Sequence, residues 1–105
     1  MTRGEIYRVR LPARRGREQA GARYAVIVQA DELLALSTAI VAPTSRSAAP
    51  ATLRPEIAVK GESTRILVEQ LRAVDIGRLG ELAGHLSAAE QRAVDDALAF
   101  VLGLG

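Results

Sequence analysis

The sequence predicts a mainly β protein in which short strands form a small barrel or curled sheet and one helix at the C-terminal end packs on it. Two observations carry this prediction. Short apolar segments, bounded by proline, glycine and polar residues, recur through the first three quarters of the chain. The last segment instead has a helix-capping motif followed by apolar residues at helical spacing. At 105 residues with 49% apolar content, the chain is expected to form a single domain with a modest core.

The strands are predicted from the pattern of each apolar segment. Glu5–Leu11 alternates from Arg8 onward, which indicates a strand with one solvated face, and Pro12 ends it. Tyr24–Val28 is continuously apolar, as in a strand buried on both faces. Further strands are predicted at residues 37–41, where Pro43 stops the strand, at 57–59 and at 66–68.

The connecting segments are predicted from their composition. Residues 12–22 are expected to form a mobile basic loop, and residues 45–55, rich in Ser, Ala and Pro, a loop or an edge strand. Asp31 opens a short helical turn, and residues 75–82 are expected to form another.

The C-terminal helix has the clearest signal. Ser87 and Glu90 have the spacing of a capping box, in which each side chain accepts a hydrogen bond from the other residue's backbone N–H. Gly103 can close the C-terminus. The pattern therefore predicts a helix over residues 87–102, with an apolar face formed by residues 93, 94, 97, 98, 101 and 102.

Positive charge is concentrated at the N-terminal end. Residues 1–23 carry seven arginines against two glutamates, residues 24–80 are balanced, and residues 81–105 carry a net charge of −3. This asymmetry indicates either a polyanionic partner on one face or simply a solvated basic loop. Arg14, Arg15 and Arg17 would supply nonspecific, salt-sensitive attraction to phosphates.

The composition excludes several classes of function. The chain has no cysteine, which rules out disulfides and thiolate chemistry. It has no apolar stretch of the roughly 18 residues that span a bilayer and no signal-peptide pattern, so a cytoplasmic protein is expected. Glycine-rich phosphate loops and convincing metal sites are missing, so neither a cofactor nor a metal is expected. Three aromatic residues are too few for an extended base-stacking platform.

Arg23 is the strongest candidate for a functional residue. It begins a buried strand, and its guanidinium presents a fixed fork of donors that matches phosphate oxygens. Thr44 and Ser45 follow another buried strand, and Glu18 lies in the basic loop. Together, a carboxylate, an arginine and a hydroxyl could cleave RNA with the substrate's 2′-OH as nucleophile. Spacing alone favours a structural interpretation, in which Arg23 pairs with a nearby carboxylate and Thr44 caps a turn.

Two other polar residues are weaker candidates. His85, the only histidine, lies just before the helix cap, where a local interaction is expected rather than proton transfer. Gln70, interpreted as a mid-strand amide, could hydrogen-bond a base edge or be satisfied within the fold.

Several stretches together resemble the MazF/PemK family of toxin endoribonucleases, nearly end to end. Gly16–Arg23 (GREQAGAR) is similar to the family's G-x-E-Q-x-G-x-R loop, and Ser63–Leu79 to its stretch ending in Q-[IL]-R-x-[VI]-D-x-x-R-L. Residues 3–9 are similar to its opening strand, and residues 41–45 (VAPTS) to its P-[ILTC]-T-[ST] strand end, without the residue between Pro and Thr. Tyr24 stands where the family usually has proline.

The resemblance implies an SH3-like β-barrel with a C-terminal helix, assembled as a homodimer. It implies metal-independent cleavage of single-stranded RNA that leaves a 2′,3′-cyclic phosphate and a 5′-OH. A cognate antitoxin would lay an acidic, apolar C-terminal segment in the RNA groove. Carried over residue by residue, the catalytic residues would be Arg23, Thr44 and Glu18, and the residues along the RNA groove would be Gln19, Ser45 and Gln70.

Two alternatives remain. A CcdB-like toxin of the same fold would bind a protein target and cleave nothing. That family uses a C-terminal tail, whereas this chain ends in LGLG and carries the E-Q-x-G-x-R loop. The second alternative is a relative that binds RNA without cutting it.

Overall fold

The computed structural model describes residues 1–12 and 21–105, and every structural statement below concerns these residues. The strands are β1 (Glu5–Leu11), β2 (Gly21–Ile27), β3 (Thr38–Ser45), β4 (Glu56–Val59), β5 (Glu62–Ile66), β6 (Arg72–Asp75) and β7 (Leu79–His85). One helix, α1 (Ala88–Leu102), follows them. Short 3₁₀ turns lie at Asp31–Leu33, Val68–Gln70 and Ile76–Arg78. The predicted class, mainly β with a C-terminal helix, is confirmed.

The strands form one curled sheet in the order β4-β5-β3-β2-β1-β7, with β6 also paired to β3. The central strands are apolar on both faces, as the continuous run in β2 predicts. On one face, Val26 and Ala42 pack with Val94 and Ala97 of α1. On the other, a second cluster is formed by Val9, Leu11, Ala25, Ile27, Ala39, Val41 and Val74.

β3 runs through Pro43, so the prediction that this proline stops the strand was wrong. Val28 N–H donates to the Ile40 carbonyl at 3.0 Å, so these two residues are a hydrogen-bonded pair. Pro43 faces Ala25 three positions further along β3, in a pair of the non-hydrogen-bonded kind. The missing N–H of Pro43 therefore lies on the side away from β2. On that side β3 changes partner: it pairs with β6 as far as Val41, and with β5 from Thr44 onward. Pro43 falls between the two ladders, where no strand requires its N–H.

β4 and β5 form a tight hairpin, and the end of β5 pairs with the end of β3. Lys60 and Gly61 connect the strands with φ angles of 50° and 80°, the left-handed conformation that two-residue hairpin turns use. The strand predicted at 66–68 instead ends at Ile66, and Val68–Gln70 forms a 3₁₀ turn. Gln70 therefore lies in a turn rather than in mid-strand.

The helical turn predicted over residues 75–82 was correct only for its first part. The 3₁₀ turn ends at Arg78, and β7 then pairs antiparallel with β1. Gly80 permits this pairing, because a Cβ at this position would lie 3.0 Å from the Arg8 carbonyl oxygen.

The capping box at the start of α1 is confirmed. Ser87 Oγ accepts from Glu90 N–H at 3.1 Å, and Glu90 Oε1 accepts from Ser87 N–H at 2.8 Å. Glu90 Oε2 also accepts from the backbone N–H of Ala58 at 3.0 Å, which links the helix to β4. Gly103 closes the helix at a φ of 69°. Among the described residues, no helix is long and apolar enough to cross a membrane.

Candidate functional site

A polar cavity of about 410 Å³ opens where β2 and β3 separate. The pairing of these strands ends at Ala25 and Pro43, so the residues just beyond that pair line the opening. Val59 lies in the wall contributed by the β4–β5 hairpin. The lining side chains that can take part in binding or chemistry are Arg8, Arg23, Tyr24, Thr44, Ser45, Arg46, Glu62 and Thr64.

Arg23 and Thr44 meet at the base of this opening. Arg23 Nη1 lies 3.5 Å from the Thr44 carbonyl oxygen, and Thr44 Oγ1 donates to the Tyr24 carbonyl at 2.8 Å. The backbone pairing of β2 and β3 ends at Ala25 and Pro43. Just beyond that pair, the Thr44 hydroxyl makes the hydrogen bond between the two strands that a backbone N–H would otherwise make. Thr44 is only 5% exposed, so its hydroxyl is a fixed part of the cavity base.

Cationic groups outnumber carboxylates among the described residues of the cavity. Arg8, Arg23 and Arg46 face a single carboxylate, that of Glu62. Arg46 and Glu62 form an ion pair at the rim, where both side chains are about two-thirds exposed. This balance favours an anionic ligand, and the rim ion pair is solvated enough to exchange partners with one.

Thr64 contributes a buried hydroxyl to the same wall. The residue is 6% exposed, and its Oγ1 has no hydrogen-bond partner among the described residues. A buried hydroxyl without a partner carries a desolvation cost, and such groups are few in native structures.

The structure brings together three of the predicted site residues: Arg23, Thr44 and Ser45. Thr44 and Ser45 lie inside β3 rather than after it, and Ser45 Oγ is 3.3 Å from Ser47 Oγ. The predicted residues Arg14, Arg15, Arg17, Glu18 and Gln19 all lie outside the described residues, as does most of the predicted loop at 12–22.

Gln70 and His85 do not line the cavity. Gln70 is half-buried in its 3₁₀ turn. His85 is exposed at the end of β7, with Nδ1 2.8 Å from the Leu86 carbonyl oxygen, in agreement with the expected local interaction.

Sequence reasoning missed four polar residues of the cavity: Arg8, Arg46, Glu62 and Thr64. The alternation of β1 identified Arg8 as polar-facing but could not indicate its neighbour across the sheet. Glu62 and Thr64 enter the cavity because β5 pairs with the end of β3, at Thr44–Ile66 and Ser45–Arg65. No local pattern encodes that pairing.

Outside the cavity, Glu5 and Tyr7 have perturbed ionisation. Burial favours the neutral form of Glu5, but hydrogen bonds from the Thr2 backbone and the Tyr7 hydroxyl outweigh it and lower its pKa. Burial raises the pKa of Tyr7, and the neighbouring Glu5 carboxylate raises it further. The Tyr7 hydroxyl donates to Glu5 Oε1 at 3.0 Å. Neither residue lines the cavity, so this pair bears on stability rather than on the site.

The chain belongs to the family of PemK-like, MazF-like toxins of type II toxin–antitoxin systems. The family's sequence pattern matches residues 2–102. The resemblance found from the sequence motifs is thereby confirmed.

Individual relatives agree. A Mycobacterium tuberculosis protein named "Putative toxin Rv3098A/RVBD_3098A" is 42% identical over 104 residues, which cover 97% of each chain. A mycobacterial endoribonuclease in complex with its cognate antitoxin superposes with a TM-score of 0.86 at 18% identity, covering 100% of this chain and 97% of that one. MazF from Deinococcus radiodurans gives a TM-score of 0.85 at 20% identity, with 98% and 96% covered. At these identities the two structures establish the fold.

Proposed function

We propose that this toxin cuts single-stranded RNA at selected sequences without a metal ion. The 2′-OH beside the scissile phosphate attacks the phosphorus, the bond to the 5′ oxygen breaks, and the products are a 2′,3′-cyclic phosphate and a 5′-OH. The observation that carries the proposal is the convergence of Arg23 and Thr44 at the base of a cationic cavity in a chain of this family.

Arg23 is the group suited to the phosphate. As the 2′ oxygen attacks, negative charge builds on the non-bridging oxygens, and a fixed guanidinium stabilises that charge more than it stabilises the ground state. The Thr44 carbonyl accepts from one guanidinium nitrogen, which holds the guanidinium against the cavity wall. The wall thus orients the guanidinium before RNA arrives.

The Thr44 hydroxyl is engaged in a hydrogen bond within the protein, which limits what it can do to the substrate. Its single proton is already donated to the Tyr24 carbonyl, so its oxygen is left to accept a hydrogen bond. Thr44 therefore serves first to fix the strand that orients Arg23. It can donate to the substrate only after releasing Tyr24.

Proton transfer requires a group besides Arg23, which stays charged. We assign it to Glu18, the carboxylate of the E-Q-x-G-x-R loop. Glu62 is less suited to this task, because its carboxylate is engaged by Arg46. Gln19, Ser45 and Gln70 are proposed to contact RNA along the groove, and Arg14, Arg15 and Arg17 to supply phosphate attraction.

The partners follow from the family. The mycobacterial structure above holds a cognate antitoxin, and Deinococcus radiodurans MazF is known both alone and with MazE. We propose a cytoplasmic homodimer that is silenced when an acidic antitoxin segment covers the cationic cavity. Exposed apolar side chains at the end of α1 and just beyond it, on Phe100, Leu102 and Leu104, are available to an assembly.

Single-turnover cleavage by Arg23→Ala tests the proposal. The variant should bind a 2′-deoxy oligonucleotide with a modest loss of affinity and cut RNA about 10²–10³-fold more slowly, the range for removing one donor to a transition-state oxyanion. Arg92→Ala, which removes the same charge from an exposed position of α1, is the matched control and should cut at the wild-type rate. Undiminished cleavage by a folded Arg23→Ala would refute the assignment. RNA left intact by the wild-type protein would favour the CcdB-like or binding-only alternatives.

A further inference from the structure

The cavity wall holds an arginine stacked on a tyrosine, an arrangement that the phosphate chemistry does not use. Arg8 of β1 and Tyr24 of β2 are direct cross-strand partners. The guanidinium carbon of Arg8 lies over the Tyr24 ring, 5.1 Å from its centroid, and both residues line the cavity with Arg23 and Thr44. The distance is within the range of a cation–π contact.

The stack leaves the guanidinium open to the cavity. The Tyr24 ring is half-buried and packs against the core cluster that includes Val26 and Ala42, while Arg8 above it is exposed. The ring restricts the rotamers of Arg8, so a ligand that uses this guanidinium loses less side-chain entropy on binding. A guanidinium plane held in this way is a surface on which unpaired RNA bases stack.

Resting on the function proposed above, we propose that Arg8, supported by Tyr24, is a base-binding subsite next to the scissile phosphate. One base of the single-stranded RNA stacks on the guanidinium while its phosphate reaches Arg23. The volume of about 410 Å³ is sufficient for a ligand the size of a nucleotide. The scarcity of aromatic residues, which argues against an extended stacking platform, does not affect this subsite, because one arginine and one ring are sufficient.

The test compares oligonucleotides that differ only in their bases. The probes are single-stranded all-2′-deoxy oligomers of about ten nucleotides, dA or dT, and an abasic oligomer with the same number of phosphates. None carries the 2′-OH that cleavage requires, so binding alone is measured, by fluorescence anisotropy at fixed salt. The wild-type protein should bind a base-bearing oligomer roughly ten-fold more tightly than the abasic one.

The variants separate stacking from charge. Arg8→Lys keeps the charge and removes the plane, and Tyr24→Leu removes the ring. Each should lower the ratio of the two affinities about five-fold or more. Tyr24→Phe keeps the ring and should leave the ratio unchanged. The matched control is Arg10→Lys, because Arg10 is exposed on the same strand but faces Ala22 and lies outside the cavity lining.

The outcomes decide the subsite independently of the nuclease. The subsite is refuted if the wild-type protein binds the base-bearing and abasic oligomers with nearly equal affinity. It is also refuted if folded Arg8→Lys has the same ratio of affinities as the wild-type protein. Cleavage of the matching RNA is followed in parallel. Cleaved RNA with an unchanged Arg8→Lys ratio refutes the subsite and leaves the nuclease standing, whereas intact RNA with the expected fall in the ratio supports the subsite and refutes the nuclease.

Discussion

Replacing Thr44 with valine tests how the cavity base is built. Valine keeps the shape of the side chain and removes the hydroxyl that donates to the Tyr24 carbonyl at 2.8 Å. A hydrogen bond of this kind contributes about 1 kcal/mol net, and leaving a buried acceptor unsatisfied raises the cost to about 1–3 kcal/mol. At 5% exposure water cannot readily replace the lost donor. In a domain of this size the change should lower the Tm by roughly 4–12 °C.

The assay pairs thermal and urea unfolding with single-turnover RNA cleavage. All measurements use one protein concentration, because assembly affects apparent stability. Thr44→Ser is the control, since it retains the hydroxyl and loses a methyl worth about 1 kcal/mol. Both variants should be destabilised, but only Thr44→Val should also lose its cleavage rate, because the strand that orients Arg23 is released. If Thr44→Val is as stable as the wild type, the hydrogen bond to the Tyr24 carbonyl does not stabilise the fold. If Thr44→Val cleaves RNA at the wild-type rate at temperatures below its own Tm, Thr44 does not position Arg23.

Three further substitutions have definite expected outcomes. Glu62→Gln should release Arg46 to bind phosphate. The affinity for an oligonucleotide should then rise, and the slope of log K against log salt should steepen by about 0.7. An unchanged slope would contradict this. Thr64→Val should stabilise the protein by roughly 1 kcal/mol in urea unfolding, because it removes a hydroxyl without a partner among the described residues; a comparable loss would show that the hydroxyl is satisfied. Glu5→Gln should be less stable than wild type near neutral pH, and the difference in stability should close on acidification. The reason is that a carboxyl with a lowered pKa loses its stabilising contribution as the pH falls through that pKa. A difference in stability that persists at low pH would contradict the assignment.

Local signals predicted the elements whose causes are local. The capping box at Ser87 and Glu90 specifies its own hydrogen bonds within four residues, and the structure has them. The continuous apolar run after Tyr24 predicted burial on both faces, and Ala25, Val26 and Ile27 are fully buried.

The errors occurred where a distant strand decides the outcome. β7 reads as a helical turn until its pairing with β1 is known, since Gly80 matters only for its close approach to the Arg8 backbone. Pro43 reads as a strand end unless β3 is seen to change partners on that side.

The cavity residues show the same distinction between what local sequence signals and what distant strands determine. Arg23 and Thr44 could be proposed as candidates because each adjoins a buried apolar run, and the structure places both in the cavity lining. Glu62, Thr64 and the stacking of Arg8 on Tyr24 were missed, because they depend on the registers that join β5 to β3 and β1 to β2. A sequence shows which residues alternate along a strand but not which residue lies opposite.

The central claim is that Arg23 and the RNA's own 2′-OH carry out the cleavage. Its most direct test is to incubate the purified toxin, free of antitoxin and in excess EDTA, with a long, weakly structured RNA and to determine the chemistry of the fragment ends. We expect cuts at a recurring short sequence, with 5′-OH and 2′,3′-cyclic phosphate ends, that disappear with Arg23→Ala and with a 2′-deoxy substitution at the cut site. RNA left intact by a folded protein, or fragments with 5′-phosphate ends, would contradict the account.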